Sequence, residues 1–328
     1  MKPKLAIVGC GAIAQNFYLP AVVNRESTMG EVWLVDPNEK MLSSAVTIFP
    51  GKTSITFSEI VDKVDLVIIA APNATHFRLA NEAISANKHV LIEKPFVTFP
   101  AEGVELISKA NSRNLVAAVN QTRRIFPVAR ELRRKIGDGE FGSLISIEHF
   151  EGVKLSWPFE SGAAFAKGAH RTGVIMDLGV HVIDFYHYIL QPHWKFIEAI
   201  HDGFNGPEGL AFIRLQADGA PITIRLSRYQ MQANVAELTF TNAKILVDVY
   251  DWNTYSILDR NGGSRRIAAA NPVDTFSDIA TAVLSNFIAA TQGQEVAICD
   301  ASSSIEVIEL LDVIYNQAVR FPAAVGLV

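Results

Sequence analysis

Two short segments of this chain place a lysine, a histidine and carboxylates where acid–base chemistry would need them. In the first, Lys94 and Glu93 follow His89–Ile92, an aliphatic run that indicates a buried parallel strand with its carboxyl end opening into a polar crevice. A lysine at such an edge can polarise a carbonyl or transfer a proton, because desolvation lowers the pKa of an ammonium group. Lys94 is therefore a candidate catalytic residue, and the alternative is a lysine in a surface loop.

The second segment places Asp177, His181 and Asp184 at positions i, i+4 and i+7. This spacing predicts one polar stripe on a helix, and the surrounding residues are almost all apolar, so the helix is expected to be buried. A buried polar stripe must face a partner or a ligand. Asp177 and His181 are candidate catalytic residues; a structural hydrogen-bonded pair is the alternative. Zinc is disfavoured because no cysteine or further histidine lies at ligand spacing, and we expect no metal.

A glycine-rich turn near the N-terminus predicts a dinucleotide site. The strand Lys4–Val8 is followed at once by Gly9-Cys10-Gly11-Ala12-Ile13-Ala14 and then by a helix. The first glycine permits the tight turn, the second lets backbone N–H groups approach a pyrophosphate, and the third small residue lets the helix pack on the strand. The cofactor-binding residues predicted here are Gly9, Gly11, Ala12 and Ile13.

Asp36 extends this prediction to the adenosine ribose. It ends a second strand, Glu31–Val35, at the distance from the glycines where an acidic residue binds the ribose hydroxyls. We expect NAD to be preferred, with NADP as the alternative. Further strands are expected at Ser54–Phe57, Val64–Ala70 and Leu115–Asn120. The other residues predicted to line the cofactor site, at or after carboxyl ends of strands, are Pro72, Asn73, His76, Glu93, Lys94 and Asn120.

The order of elements predicts an α/β fold with two domains. Strands and helices alternate over residues 1–121, which indicates a doubly wound parallel sheet covered on both faces, a Rossmann domain. After Pro127 long strands with hairpin-like separators dominate as far as Leu258. We assign 122–328 to a second α/β domain with a large, mostly antiparallel open sheet that binds substrate and mediates oligomerisation, its last helix packing back on the first domain.

Composition narrows the class of protein. The 328 residues are 49% hydrophobic and 19% charged, with a formal net charge of -5, so we expect a globular protein that binds neither nucleic acid nor membrane. Only Cys10 and Cys299 are present, which fits a reducing cytoplasm. The N-terminus imitates a secretory or lipoprotein signal, but its apolar run is shorter than such a signal needs.

With these motifs in this order, the chain resembles the glucose-fructose oxidoreductase / inositol dehydrogenase / rhizopine-catabolism (Gfo/Idh/MocA) family of NAD(P)-dependent sugar oxidoreductases. The resemblance rests on Gly9–Ala14, Ala71–His76, Glu93-Lys94-Pro95 and Gly173–Asp184. It implies that Lys94 contacts both nicotinamide and substrate, with a cis bond before Pro95. It also implies that Asp177 and His181 form the substrate-side pair, the histidine acting as acid/base, and that the protein is a homodimer or homotetramer.

The implied activity is hydride transfer between nicotinamide and a secondary alcohol or ketone of a sugar or polyol (EC 1.1.1.-). The alternatives are a non-catalytic nicotinamide-binding sensor or assembly subunit, and a biliverdin- or imine-type reductase. Where the family often has Gly-Gly-Gly, this chain has Ala169-His170-Arg171-Thr172-Gly173, which puts bulk and charge at the expected pocket rim. Together with Arg124 they hint at an anionic substrate group, surface charge being the commoner explanation; Trp157 could stack on a sugar ring. Candidate substrate residues are Arg124, Trp157, His170 and Arg171.

Overall fold

The computed structural model describes residues 2–154, 171–203, 206–259 and 263–321. The described residues divide into two compact units. The first contains residues 2–125 and 274–308, and the second contains the rest. Each unit is built around one β-sheet.

The first unit has a six-stranded sheet in which all strand pairs are parallel, in the order β3-β2-β1-β4-β5-β6. This is the doubly wound Rossmann order, so the predicted fold class of this part is confirmed. Strands β1 and β4 are wholly aliphatic and fully buried, as expected for a sheet covered on both faces. The strands are β1 (Leu5–Val8), β2 (Val32–Val35), β3 (Lys52–Ser54), β4 (Leu66–Ile69), β5 (His89–Ile92) and β6 (Ala117–Val119).

The strand predicted at Ser54–Phe57 is wrong. Strand β3 ends at Ser54, and Phe57 begins a 3₁₀ turn, Phe57–Glu59, with its ring buried. The edge strand consists of polar, largely exposed residues, so its sequence carries no hydrophobic signal. The apolar Phe57 led to a predicted strand that lies too far toward the C-terminus.

The second unit has a nine-stranded sheet in the order β14-β13-β12-β11-β7-β10-β9-β8-β15. Most neighbouring strands are antiparallel, and β7–β10 and β8–β15 are parallel, so the predicted mostly antiparallel sheet is confirmed. Its strands are β7 (Leu144–Gly152), β8 (Trp194–His201), β9 (Leu210–Ala217), β10 (Ala220–Ser227), β11 (Val235–Phe240), β12 (Lys244–Asp248), β13 (Thr254–Leu258), β14 (Ser264–Ala268) and β15 (Val319–Arg320).

The α-helices of the described residues are α1 (Leu19–Asn24), α2 (Glu39–Ile48), α3 (His76–Ser85), α4 (Pro100–Ser112), α5 (Pro127–Gly137), α6 (Val180–Leu190), α7 (Phe276–Thr291) and α8 (Ile305–Gln317). A capping box begins α7: Thr275 Oγ1 accepts the Asp278 N–H, and Asp278 Oδ2 accepts the Thr275 N–H. Helix α7 packs on α1 within the first unit. Across the described part of the chain, no helix is long and apolar enough to cross a membrane.

Candidate functional site

The glycine-rich turn follows β1, at the point in the first sheet where the strand order reverses between β1 and β4. Gly9 has φ +96°, and a Cβ on it would lie 2.5 Å from the carbonyl oxygen of Ala70. Only glycine fits there. A Cβ on Gly11 would meet no protein atom within 4 Å, so the protein's own packing does not demand glycine at this position. The space above Gly11 is what a pyrophosphate approaching the backbone requires, and these residues therefore fit a dinucleotide.

The two glycines lead to opposite predictions. Gly9→Ala forces a side chain into left-handed backbone and onto Ala70, so it should destabilise the fold by at least about 1–3 kcal/mol. Gly11→Ala should stay within about 0.5 kcal/mol of the wild-type stability and instead weaken NADH binding. Urea unfolding and NADH fluorescence titration measure the two effects. A strongly destabilised Gly11→Ala protein would contradict this division.

Asp36 lies directly after β2 and faces the same turn. Its Oδ2 accepts the N–H of Cys10 at 2.8 Å, and its Oδ1 accepts the N–H of Asn38 at 2.8 Å. The carboxylate is thus fixed beside the glycines, where a ribose would meet it. Burial and the neighbouring Asp36 charge raise the pKa of the Cys10 thiol to about 12, so this cysteine stays protonated at neutral pH.

His76 lies at the start of α3, after the Pro72 and Asn73 turn that follows β4. Its two ring nitrogens lie 2.8 Å from the carbonyl oxygens of Pro95 and Ala71. Burial lowers the pKa of His76, so the ring is neutral at physiological pH and donates to one of the two oxygens. His76 thereby ties the loop after β4 to the loop after β5, and its part in cofactor binding stays a prediction.

Glu93 is buried at the end of β5 and anchors the lysine that follows it. Glu93 Oε1 accepts hydrogen bonds from the Tyr18 hydroxyl at 2.7 Å and from Asn120 Nδ2 at 2.6 Å, and Oε2 accepts the Lys94 N–H at 3.1 Å. The Lys94–Pro95 peptide bond is cis, as the resemblance implied. Lys94, half-buried, is thus held at the carboxyl end of β5 between a buried glutamate and a proline.

Asp177 and His181 lie at the start of one helical segment of the second unit, but not on a regular α-helix. Asp177 belongs to a π-helical turn, Ile175–Gly179, and His181 to the first turn of α6. Over one turn the apolar pattern cannot distinguish π from α hydrogen bonding. The α-helix predicted for Asp177, His181 and Asp184 is therefore correct only from Val180 onward. Both side chains are half-buried, whereas Asp184 is buried. Asp177 Oδ2 forms an ion pair with Arg228 Nη2.

Glu208 closes the N-terminal end of this helical segment. Its Oε1 accepts the Ile175 N–H at 3.1 Å and the Tyr315 hydroxyl at 2.7 Å. A Cβ on Gly173 would overlap the Glu208 carboxylate, so glycine is required where the segment begins. Burial and the Glu208 charge raise the pKa of Tyr315, which keeps its hydroxyl a donor to the carboxylate. The Glu208 contacts therefore fix the start of the segment, and the ion pair with Arg228 holds Asp177 itself.

Comparison with known proteins agrees with this arrangement. A family model described as "Oxidoreductase family, NAD-binding Rossmann fold" matches residues 4–121, and one described as "GFO/IDH/MocA C-terminal domain" matches residues 129–246. This chain belongs to the Gfo/Idh/MocA family. Its first unit is an NAD-binding Rossmann domain.

Individual relatives are distant. Glucose-6-phosphate 3-dehydrogenase of Bacillus subtilis is 28% identical over 197 residues, 57% of this chain and 54% of the relative, so the chain spans about half of that relative. The UDP-N-acetylglucosamine 3-dehydrogenase structure from Acidithiobacillus ferrooxidans has a TM-score of 0.79 at 20% identity, covering 97% of this chain and 98% of that one. A 3-ketoreductase from Actinomadura kijaniata, solved with NADP and TDP-benzene, has a TM-score of 0.84 at 18% identity, covering 98% and 100%. At these identities the two structures support the fold alone.

The predicted substrate arginines of this Gfo/Idh/MocA protein have protein partners. Arg124 is buried and donates to the carbonyl oxygen of Ser303 at 3.0 Å. Arg171 Nη2 lies 2.6 Å from Asp312 Oδ1, and its guanidinium stacks 5.5 Å from the Tyr315 ring centroid. These contacts give both arginines structural roles, and substrate binding by them stays a prediction. Trp157 and His170 lie outside the described residues.

Three polar residues of the second unit were missed at the sequence level, Arg228 beside Asp177 and the buried His149 and Glu151 on β7, and the strand pattern held the signal for each. His149 and Glu151 alternate with Ile147 along β7, so a face that buries Ile147 buries them as well. Arg228 continues the buried alternation of Ile224 and Leu226 just beyond β10. A charged residue on an inward-facing strand position indicates a buried polar network.

Proposed function

We propose that this protein catalyses hydride transfer between a nicotinamide cofactor and a secondary alcohol or ketone carbon of a sugar. The observation that best supports this is the pairing of Asp177 and His181 at the start of an otherwise buried helical segment, in a chain with an NAD-binding Rossmann domain. A half-exposed imidazole one turn away from a carboxylate that an arginine holds is an arrangement suited to acid–base chemistry.

The chain's own residues have distinct roles in this reaction. In the oxidation direction, His181 takes the hydroxyl proton as the C–H hydride leaves the same carbon. The ammonium of Lys94 stabilises the negative charge that develops on the oxygen. Asp177 orients the imidazole or a substrate hydroxyl. When bound, the nicotinamide ring supplies the hydride acceptor, and the glycine-rich turn with Asp36 holds the dinucleotide.

For the substrate, we propose a pyranose that reacts at position 3. Two relatives are named as 3-dehydrogenases, of glucose-6-phosphate and of UDP-N-acetylglucosamine, and a structural neighbour is a 3-ketoreductase. Their named substrates differ in the group that they carry beyond the sugar ring. We therefore propose the reaction that these proteins share, oxidation of a ring hydroxyl, and propose no particular anionic group on the substrate.

A substrate panel tests this function directly. Glucose, glucose-6-phosphate, UDP-N-acetylglucosamine and myo-inositol are each incubated with protein and NAD, and reduced cofactor is followed by its absorbance. We expect turnover of at least one pyranose, and product analysis should show a ketone at position 3. Tight NADH binding without turnover of any compound of this panel would contradict the proposal and favour a nicotinamide-binding sensor.

We further propose that NAD is preferred over NADP. The Asp36 carboxylate, fixed by two backbone N–H groups, accepts a ribose hydroxyl and repels a 2′-phosphate. Asp36→Asn keeps an oxygen acceptor and removes the charge, so it should raise the NADP/NAD ratio of kcat/KM by about tenfold or more. Steady-state kinetics with both cofactors measure this. A wild-type preference for NADP would contradict it.

We also propose that the protein is a homodimer or homotetramer. The face of the nine-stranded sheet that carries His149 and Ile224 is buried at its centre and contacts α6 at Tyr186, while the other face leaves Phe150, Phe212 and Leu246 half-buried, with Arg225 stacked between the two phenylalanines. Pairing two such faces under two-fold symmetry would cover them. Light scattering should return at least twice the 35.9 kDa chain mass, and Phe212→Lys should lower it. A wild-type monomer at micromolar concentration would contradict this.

A further inference from the structure

A chain of buried polar residues joins α6 to β7 in the second unit. The Tyr186 hydroxyl on α6 lies 2.8 Å from His149 Nδ1, and His149 Nε2 lies 3.2 Å from Glu151 Oε2. Both His149 and Glu151 project from β7, with exposures of 1% and 0%. The Tyr250 hydroxyl donates to Glu151 Oε1 at 3.3 Å. One neutral tautomer satisfies every contact: Tyr186 donates to His149, and His149 donates to Glu151.

Arg228 lies within electrostatic reach of Glu151 and pairs with Asp177. Its side chain is 18% exposed, and its guanidinium pairs with the Asp177 carboxylate, whose side chain is 32% exposed. Burial lowers the pKa of Arg228, while the nearby charge of Glu151 opposes that shift. Burying a carboxyl group is costly unless donors satisfy it, and His149 and the Tyr250 hydroxyl both lie within hydrogen-bond distance of Glu151. The Arg228 guanidinium thus pairs with the half-exposed Asp177 carboxylate and also feels the charge of the buried Glu151.

We propose that Arg228 is a positioning residue of the candidate active site that holds the carboxylate of Asp177 in place. This inference rests on the proposed function. The assignment goes beyond the sequence-predicted residues, because Arg228 would act on the reaction through Asp177.

The geometry of the network supports positioning over simple charge balance. Tyr186 lies on α6 and Asp177 in the π-helical turn before it, so the network fastens the helical segment to the sheet at two points. His181 lies between these points along the chain. Fixing both ends restricts rotation of the segment about its axis, and with it the direction of the His181 ring. A displacement near 1 Å at a reacting group can cost about 10²-fold in rate.

A double-mutant cycle tests this inference with the substrate found by the panel above. Arg228→Met should lower kcat by about 10²-fold, leave the NADH dissociation constant unchanged, and alter KM less than kcat. Arg228→Lys keeps the charge without the planar fork, so it should recover part of the loss. If Arg228 acts through Asp177, the double variant Arg228→Met/Asp177→Asn should be no slower than the slower single variant.

Matched controls separate positioning from a general structural role. Arg134 forms an exposed ion pair with Asp138 on α5 of the same unit, so Arg134→Met should keep wild-type kcat. If Arg228→Met does not fold, Arg228→Lys carries the same cycle with Asp177→Asn. Additive losses in kcat, or wild-type kcat in folded Arg228→Met, would overturn the inference and leave the proposed function standing. A wild-type protein that turns over no sugar overturns the proposed function first, and this inference with it.

Discussion

His181→Ala should lower kcat by about 10²–10⁴-fold while NADH binds as tightly as to the wild-type protein. That range is the usual contribution of a positioned proton-transfer group. The expected split follows from the fold, because His181 lies on α6 of the second unit and the dinucleotide turn belongs to the first. The measurements are steady-state kinetics on the true substrate and fluorescence titration with NADH.

Two comparisons make the His181 result specific. His187 lies on the same helix, half-buried, and accepts a hydrogen bond from Trp194 Nε1 at 3.3 Å, so His187→Ala is a matched control that should keep its turnover. Added imidazole should restore part of the activity of His181→Ala, because a small base can take the place of the missing ring. Folded, NADH-binding His181→Ala protein with unimpaired turnover would remove His181 from the mechanism.

The Rossmann unit was predictable because its sequence signals are local and redundant. Strands such as β4 are continuous aliphatic runs, and each is followed by turn or polar residues at the same edge of the sheet. Gly9 adds a position that only glycine can occupy. The one strand placed wrongly, Ser54–Phe57, stands for the polar edge strand β3, in which exposure removes the hydrophobic signal.

The sequence predicts the mostly antiparallel sheet of the second unit, but it does not predict the hydrogen bonds and ion pairs of its buried polar residues. Asp177 and His181 could be found because they interrupt an apolar helix. Arg228, which pairs with Asp177, follows a distant strand, and pairing between residues 51 positions apart depends on the sheet register, which no local pattern specifies. Alternation along β7 places His149 and Glu151 on the buried face, but it does not indicate which helix covers that face.

Lys94→Met should lower kcat by about 10²–10³-fold, the usual cost of removing one group that stabilises a developing oxyanion. Methionine has a similar length and no charge, so the variant tests the ammonium rather than the volume of the side chain. Lys94 also follows the strand that borders the predicted nicotinamide position, so weaker NADH binding should accompany the loss. Lys94→Arg should recover little, because a planar guanidinium does not reproduce a compact ammonium.

The opposite end of the same strand supplies the control for Lys94. Lys88 immediately precedes β5, at the amino edge of the sheet, whereas Lys94 follows β5 at the carboxyl edge, where doubly wound sheets bind their ligands. Lys88→Met should therefore keep both kcat and NADH affinity. If Lys94 were only a packing residue, Lys94→Met would lower the urea midpoint and leave turnover per folded molecule unchanged. Equal, wild-type turnover in folded Lys94→Met and Lys88→Met would exclude an electrostatic role for Lys94.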